Sequence, residues 1–384
     1  MKNFKYLLLL SASFGILSTT ANASPAEILG DEYSKFKNYL STTYGFDYGI
    51  DYSLMWQRTA PSGSHNAVQS YLYPYFSWTT FDNRYGTGTL NFAYDSIFYG
   101  HHDANDIGGN SGMVTPINDF TDESQEFSEL YFTYQFPDKF KWLTLGLGQY
   151  SLYNFDGSQY NANQQVNFIN YSLSQNATAT YASAGLGAYL QTQFKELTLT
   201  AGMQDASNID ATGVRFNRFH DKHYTTFGEI SYNPTIKGLG QGQYSVMVYN
   251  QPAVSEQPQT TTGWSVNLSQ FISEKFNVFA AINGVNGSVA SIDTSYTAGI
   301  VYNNPLNRNE LDQIGLAYAY NSIDENAVGT PVFHKAEQIV ETYWAWGIGK
   351  WATITPDLQI YFNPALNDKS DYGFAGTLRL TLFF

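Results

Sequence analysis

The feature that most constrains this chain is an alternation of apolar and polar residues with a period of two. In YGFDYGIDYSLMW, residues 44–56, every even position is aromatic or aliphatic, and the odd positions carry glycine, serine, methionine, Asp47 and Asp51. Successive side chains of a β-strand point to opposite faces, so this segment has one apolar and one mainly polar face. It is also longer than the usual strand of about five or six residues.

The last thirteen residues, YGFAGTLRLTLFF, repeat this pattern. Leu378, Leu380 and Leu382 share one face, whereas Arg379 lies on the other face beside threonines. Such a strand fits a wall with lipid on one side and a water-filled lumen on the other, which predicts that Arg379 faces the lumen. We expect this strand, ending at Phe384, to pair with the first strand so that no edge stays open. It is also the segment that we expect outer-membrane assembly machinery to recognise.

About sixteen such segments follow one another, and their connections alternate in length. Tight turns alternate with long connections; the turns include 137–141, 195–196 and 349–351, and the long connections 101–125, 153–180 and 206–222. One rim of short turns and one rim of long loops is the form of an outer-membrane barrel. We therefore predict an all-β fold, a transmembrane antiparallel up-and-down β-barrel of about 16 strands over residues 44–384.

The N-terminal residues predict export. Residues 1–23 combine a basic start, an apolar run and the small-x-small site Ala21-Asn22-Ala23, which is the pattern of a signal peptide cleaved after about Ala23. Residues 24–43 follow as a periplasmic segment, with apolar residues at helical spacing over about 26–41 that predict a short amphipathic helix. The expected location is the outer membrane of a Gram-negative-type envelope, in contact with its lipid.

Composition restricts the partners. The 19 basic residues face 33 acidic ones, a formal net charge of −14, which argues against nucleic acid as a partner. Aromatic residues make up 17% of the chain and charged residues only 14%, below the typical ~25%. Many aromatics and few charges suit strands whose two faces meet different solvents. Cysteine is absent, which excludes disulfides and thiol chemistry.

Several stretches resemble the carbohydrate-selective porins of the OprB type. GLGQYSLYNFDGSQYNANQQVNFINYSLSQN carries the family's F-x-N-x-x-L pattern at Phe168, Asn170 and Leu173, and YTAGIVYNNPLNRNELDQIGLAYAY aligns Arg308 and Asp312 with a family arginine and aspartate. The resemblance covers most of residues 44–384. It implies a porin that lets mono- and oligosaccharides and similar small hydrophilic solutes diffuse passively into the periplasm. The alternative is a general porin, or an uptake porin for siderophores or other small solutes, without carbohydrate selectivity; a homotrimer is left open.

Sugars exchange hydrogen bonds with carboxylates, amides and arginines and slide over aromatic rings. The predicted lumen face supplies such residues, and so does the long loop at about 153–180, which we expect to fold inward and set the pore width. The candidate pore-lining residues are Asp47, Asp51, Glu129, Tyr131, Asp156, Tyr160, Asn161, Gln165, Glu229, Arg308, Glu341, Asp357, Gln359 and Arg379. Net acidity predicts a mild cation preference for salts.

Other classes of function are disfavoured. An outer-membrane enzyme needs a serine, a histidine and an orienting partner on one outer face, but the histidines fall at or near predicted loops or strand starts. Neither the loop with His101 and His102 nor the one with His220 and His223 matches a specific metal-ligand pattern. The residues that precede the first strand are too few to form the N-terminal plug domain of a gated receptor for iron chelates. We expect no catalytic residue, no metal and no cofactor.

Overall fold

The computed structural model describes residues 25–61, 65–218 and 222–384. The predicted signal peptide and His220 lie outside the described residues. The N-terminal helix α1 spans Pro25–Tyr44 and so extends past both ends of the predicted range of 26–41. None of the helices in the described part of the chain combines the length and the apolarity that crossing a membrane requires.

The strands follow α1 in chain order. They are β1 Phe46–Ala60, β2 Asn66–Asn83, β3 Gly86–Tyr99, β4 Ser124–Gln135, β5 Leu143–Tyr150, β6 Gly185–Phe194, β7 Leu197–Asp205, β8 Tyr224–Tyr232, β9 Thr235–Ile236, β10 Gly240–Gln251, β11 Thr261–Phe271, β12 Phe276–Asn286, β13 Ile292–Asn303, β14 Gln313–Ile323, β15 Ala336–Ile348, β16 Ala352–Phe362 and β17 Tyr372–Phe383. Short helical turns lie in the connections: α2 Ala104–Asn110, α3 Tyr171–Ser174, α4 Glu325–Val328, and the 3-10 turns Asp138–Phe140, Leu152–Asn154 and Phe216–Arg218.

The strands form one closed antiparallel sheet. Neighbours in sequence pair with one another, and the two-residue strand β9 is only an extension of the turn before β10. β17 pairs with β1 from Asp51 opposite Phe383 to Ala60 opposite Phe374, which closes the cylinder. The prediction of a closed antiparallel barrel of about 16 strands is confirmed.

The two faces of the wall differ as the alternation predicts. Leu54, Trp56 and Leu378 point outward and are exposed by 43%, 42% and 50%, whereas Met55 and Arg379 point inward and are buried. Rows of exposed apolar side chains on successive strands would be unfavourable in water. They are the expected lipid-contacting surface of a membrane barrel.

Two long loops fold into the barrel. L2, residues 100–123, joins β3 to β4, and L3, residues 151–184, joins β5 to β6. Phe168 of L3 is fully buried, with its ring 5.5 Å from that of Phe279 and 4.9 Å from that of Tyr343. The main apolar core of the protein therefore lies inside the barrel, between these loops and the wall formed by β11–β17.

Candidate functional site

L3 is held to the wall by two buried charged side chains. Glu341 on β15 accepts hydrogen bonds from the backbone N–H groups of Ile169, at 2.5 Å, and Asn170, at 3.0 Å. Arg379 on β17 donates from Nη1 to the carbonyl oxygens of Gln164 and of Asn167, the latter at 2.9 Å. Charge-assisted hydrogen bonds are among the stronger ones in proteins. Glu341 thus binds backbone N–H donors of L3, and Arg379 binds backbone carbonyl acceptors of the same loop.

Other candidate residues extend this attachment along L3. The Gln165 amide donates to Ser53 Oγ at 3.2 Å, and Tyr160 accepts from Asn303 Nδ2 at 2.8 Å. The carboxylate of Asp156 accepts from the amide of Asn267 on β11 at 3.1 Å. L3 is therefore attached to the wall from β11 round to β1.

The remaining loop residues serve the internal geometry of L3 and its contact with β16. Asn161 Oδ1 accepts from the backbone N–H of Ser158 at 2.7 Å. Gln359 accepts from Asn170 Nδ2 at 3.1 Å and donates to the carbonyl oxygen of Ile117 in L2 at 2.9 Å. Its neighbour on the same face, Asp357, is buried as well. In this structure Asn161 and Gln359 contact loop atoms, and neither they nor the buried Asp357 face an open channel.

A second carboxylate, missed in the sequence analysis, holds L2. Glu337 on β15 accepts from the backbone N–H groups of Val114 at 2.8 Å, Thr115 at 2.7 Å and Ala365 at 2.7 Å. Glu337 lies four residues before Glu341, so the strand alternation places both side chains on the lumen face. The alternation alone was therefore sufficient to identify Glu337 as a candidate residue.

L2 and L3 also contact each other through Asp119. The hydroxyl of Ser174 in L3 donates to the carboxyl group of Asp119, whose backbone N–H donates to Gln164 Oε1 at 3.1 Å. Burial raises the pKa of Asp119 to about 8. The carboxyl group is therefore largely protonated near neutral pH in the folded protein.

This raised pKa predicts a pH-dependent loop contact. Because the pKa of Asp119 lies above its value of about 4 in an unfolded chain, the folded state binds more protons between these values. The folded state therefore loses stability relative to the unfolded chain as the pH rises toward about 8. We expect L3 to become more mobile above that pH, seen as increased open-channel noise in planar bilayers, and Asp119→Asn to abolish the increase. Equal pH dependence in the variant and the wild type would contradict this prediction.

The open part of the lumen lies on the other side of L3. Inward-facing positions of β11–β17 are mostly buried, whereas many on β2–β6, such as Tyr73, Tyr131 and Gln191, keep partial access to solvent. The passage therefore runs mainly between L3 and the wall of β2–β4, because L3 packs on Tyr150 of β5 and Tyr189 of β6.

Three carboxylates, which we name the acid cluster, lie together on this wall: Asp95 of β3 and Glu126 and Glu129 of β4. Asp95 pairs with Glu126 and Ala93 pairs with Glu129, so a register shift separates the two pairs. This β-bulge brings Glu126 and Glu129 to the same face, although they are three residues apart. Glu129 Oε1 accepts from Asn154 Nδ2 of L3 at 2.6 Å, so the cluster borders the loop.

The other strand candidates lie on the inner face at various depths. Asp51 and Glu229 are buried, whereas Asp47, nearer the start of β1, is partly exposed. Asp51 stands between Tyr73 on β2 and Phe383 on β17.

Arg308 requires a correction. It lies in the turn 304–312 between β13 and β14, where it pairs with Asp312 and donates to the carbonyl oxygen of Gly347 at 2.9 Å. Its guanidinium group stacks 3.8 Å from the ring of Trp346, a side chain that points outward. Arg308 therefore does not line the pore. The sequence resemblance located the residue but could not show on which side of the wall its turn folds.

Histidine, aspartate and glutamate side chains form no group of three or more that could hold a metal ion within the described ranges. The site is thus made of hydrogen-bonding and charged side chains around a passage.

Comparison with known proteins identifies the class. A sequence profile described as "Carbohydrate-selective porin, OprB family" matches residues 99–384. Proteins named Porin AaxA are similar along most of the chain: that of Chlamydia abortus is 36% identical over 346 residues, 88% of this chain and 77% of the relative. That of Chlamydia felis is 38% identical over 300 residues, 78% of this chain and 67% of the relative.

Solved structures share the fold. The high-pH structure of Pseudomonas putida OprB matches with a TM-score of 0.76 and 13% identity, over 92% of this chain and 97% of that one. The OmpF structure from Salmonella typhi, in complex with daunomycin, matches with a TM-score of 0.57 and 11% identity, over 88% of this chain and 97% of that one. The profile match and the relatives make this protein an outer-membrane channel and not an enzyme. The resemblance noted in the sequence is confirmed, and the chain belongs to the OprB family of carbohydrate-selective porins.

Proposed function

We propose that this porin admits carbohydrates and similar small hydrophilic solutes by passive diffusion and prefers cations to anions among charged solutes. The observation that carries the cation preference is the partly exposed pair Glu126 and Glu129 of the acid cluster, which borders the open passage, whereas Asp95 is buried beside them. The described strands contain two basic residues, Arg58 and Arg379. Arg58 points outward, and Arg379 is covered by L3. No strand-borne cation of the described wall therefore offsets the acid cluster.

The passage also suits uncharged solutes. Tyr73, Tyr131 and Gln191 offer rings, hydroxyl groups and an amide along the half-open wall. Such groups can exchange hydrogen bonds with a passing hydroxyl and then release it, as conduction requires. The family supports carbohydrates as the class of solute. Recognition of the last strand by assembly machinery, assembly into a homotrimer and cleavage after about Ala23 stay predictions.

Two measurements on the purified porin test this proposal. In planar bilayers with a KCl gradient, we expect a reversal potential whose sign shows that K⁺ is more permeant than Cl⁻. In liposome swelling, we expect sugars to enter faster than zwitterionic amino acids of matched size. Anion preference would contradict the first part, and equal swelling rates would remove the carbohydrate preference and leave a general porin.

A further inference from the structure

Helix α1 is attached to the short-turn end of the barrel. Lys37 Nζ donates to the main-chain oxygen of Phe384 at 3.0 Å, and the ring of Tyr33 lies 6.0 Å from that of Trp351 in the turn before β16. The backbone of Gly45 accepts from the N–H of Thr79 on β2 at 2.8 Å. The helix is thus fixed near its middle and just after its C-terminal end to the rim that the short turns form.

The helix stands where the wall lacks a strand. The ladder between β1 and β17 begins at Asp51, so residues 46–49 pair with β2 on one side and with no strand on the other. Exposed strand edges are usually covered or blocked in native proteins. Helix α1 lies beside this short edge.

A groove of about 300 Å³ separates α1 from the outer wall. Its lining is almost entirely apolar and consists of Phe36, Leu40, Phe46, Tyr48, Gly49, Ile50, Pro74, Tyr75, Phe76 and Phe92. Tyr48 pairs with Phe76, which pairs with Phe92, and all three side chains lie on the outward face of the wall. The floor of the groove is therefore continuous with the lipid-contacting surface.

Helix α1 carries two exposed aromatic residues on one flank: Phe36 lines the groove, and Tyr39 lies three residues further along, beside Phe36 on the helix surface. Phe36 is 51% exposed and Tyr39 is 52% exposed, although both are large and mainly apolar. The opposite flank is polar: Ser34 and Asn38, also exposed, face away. An apolar flank of this kind on a helix marks a surface that contacts something other than water.

We propose that an acyl chain of a phospholipid in the periplasm-facing leaflet fills this groove, and that α1 is an interfacial helix with its Phe36–Leu40 flank in lipid. The groove is the rim of a wall whose outer face is already in contact with hydrocarbon. Its lining offers few hydrogen-bonding side chains. A polypeptide in the groove would have to satisfy its own backbone N–H and C=O groups, whereas an acyl chain has none.

Site-directed fluorescence tests this proposal directly, because a chain without cysteine can be labelled at one engineered position. Phe36→Cys and Tyr39→Cys place a bimane label on the apolar flank, and Asn38→Cys is the matched control on the polar flank. The labelled porins are reconstituted in phosphatidylcholine vesicles with bromine either near the headgroup or deep in the acyl chain. Refolding of each variant is checked by its heat-modifiable mobility in gels.

We expect shallow bromine to quench the labels at positions 36 and 39 roughly twofold more than the label at 38, since interfacial helices lie within about 5–10 Å of the headgroup boundary. Aqueous iodide should show the reverse order. Equal iodide quenching at all three positions would mean that the flank lies in water and would overturn the proposal. Protection from both quenchers, with disulfide-linked dimers at position 36, would show that a second copy covers the groove and would equally overturn it.

Discussion

Replacing Glu341 with alanine is expected to release L3 from the wall and to raise the single-channel conductance roughly twofold, because the loop covers the inner faces of β11–β17. The variant leaves the N–H groups of Ile169 and Asn170 without their acceptor. Each buried donor without a partner costs about 1–3 kcal/mol, so the attached state of L3 loses about 2–6 kcal/mol. The measurement is conductance and open-channel noise in planar bilayers.

Two further variants separate this effect from general damage to the barrel. Glu341→Gln keeps one acceptor oxygen and should give an intermediate conductance. Glu337→Ala removes an equivalent buried carboxylate that holds Val114, Thr115 and Ala365 instead of L3, so its effect on conductance should be smaller. Limited proteolysis should cut L3 in Glu341→Ala alone. A folded Glu341→Ala porin with wild-type conductance and noise would show that Glu341 does not hold the constriction.

The fold could be predicted from the sequence because a single physical rule produces it. Outward-facing residues such as Leu54 and Leu378 contact lipid, and inward-facing residues such as Ser53 and Arg379 face the interior. The alternation of apolar and polar residues therefore determines which face of each strand points outward. The pairing of β1 with β17 then follows from the need to leave no open edge.

The site was less predictable because it depends on contacts between distant parts of the chain. Alternation places Arg379 on the lumen face, but it cannot show that L3 covers the side chain, since Gln164 is 215 residues away in sequence. Glu126 was missed for a different reason. The β-bulge opposite Ala93 and Asp95 changes the parity of β4 at that point, and a rule based on strict alternation places Glu126 on the wrong face.

The charge of the acid cluster should control ion selectivity. Glu126→Gln with Glu129→Gln removes two carboxylates from the open wall while leaving their size and polarity nearly unchanged. At about 6 Å in water, one negative charge lowers the energy of a passing K⁺ by about 0.7 kcal/mol and raises that of Cl⁻ by as much, so each charge changes the K⁺/Cl⁻ permeability ratio by about tenfold. We expect the double variant to lower this ratio by up to about a hundredfold at low salt and alkaline pH, where both carboxylates are ionised, measured as a reversal potential.

Salt dependence and a matched control give this prediction its sharpest test. Because the Debye length falls from about 30 Å at 0.01 M to about 3 Å at 1 M salt, the difference between the variant and the wild type should shrink as salt is raised. Glu310→Gln removes a carboxylate from the exposed turn 304–312 at the rim, so it should leave the ratio close to that of the wild type. If Glu310→Gln lowers the ratio as much as a single substitution in the acid cluster does, selectivity arises from the net charge of the whole protein. If only the cluster variants respond, and most strongly at low salt, the carboxylates opposite L3 are where cations are selected.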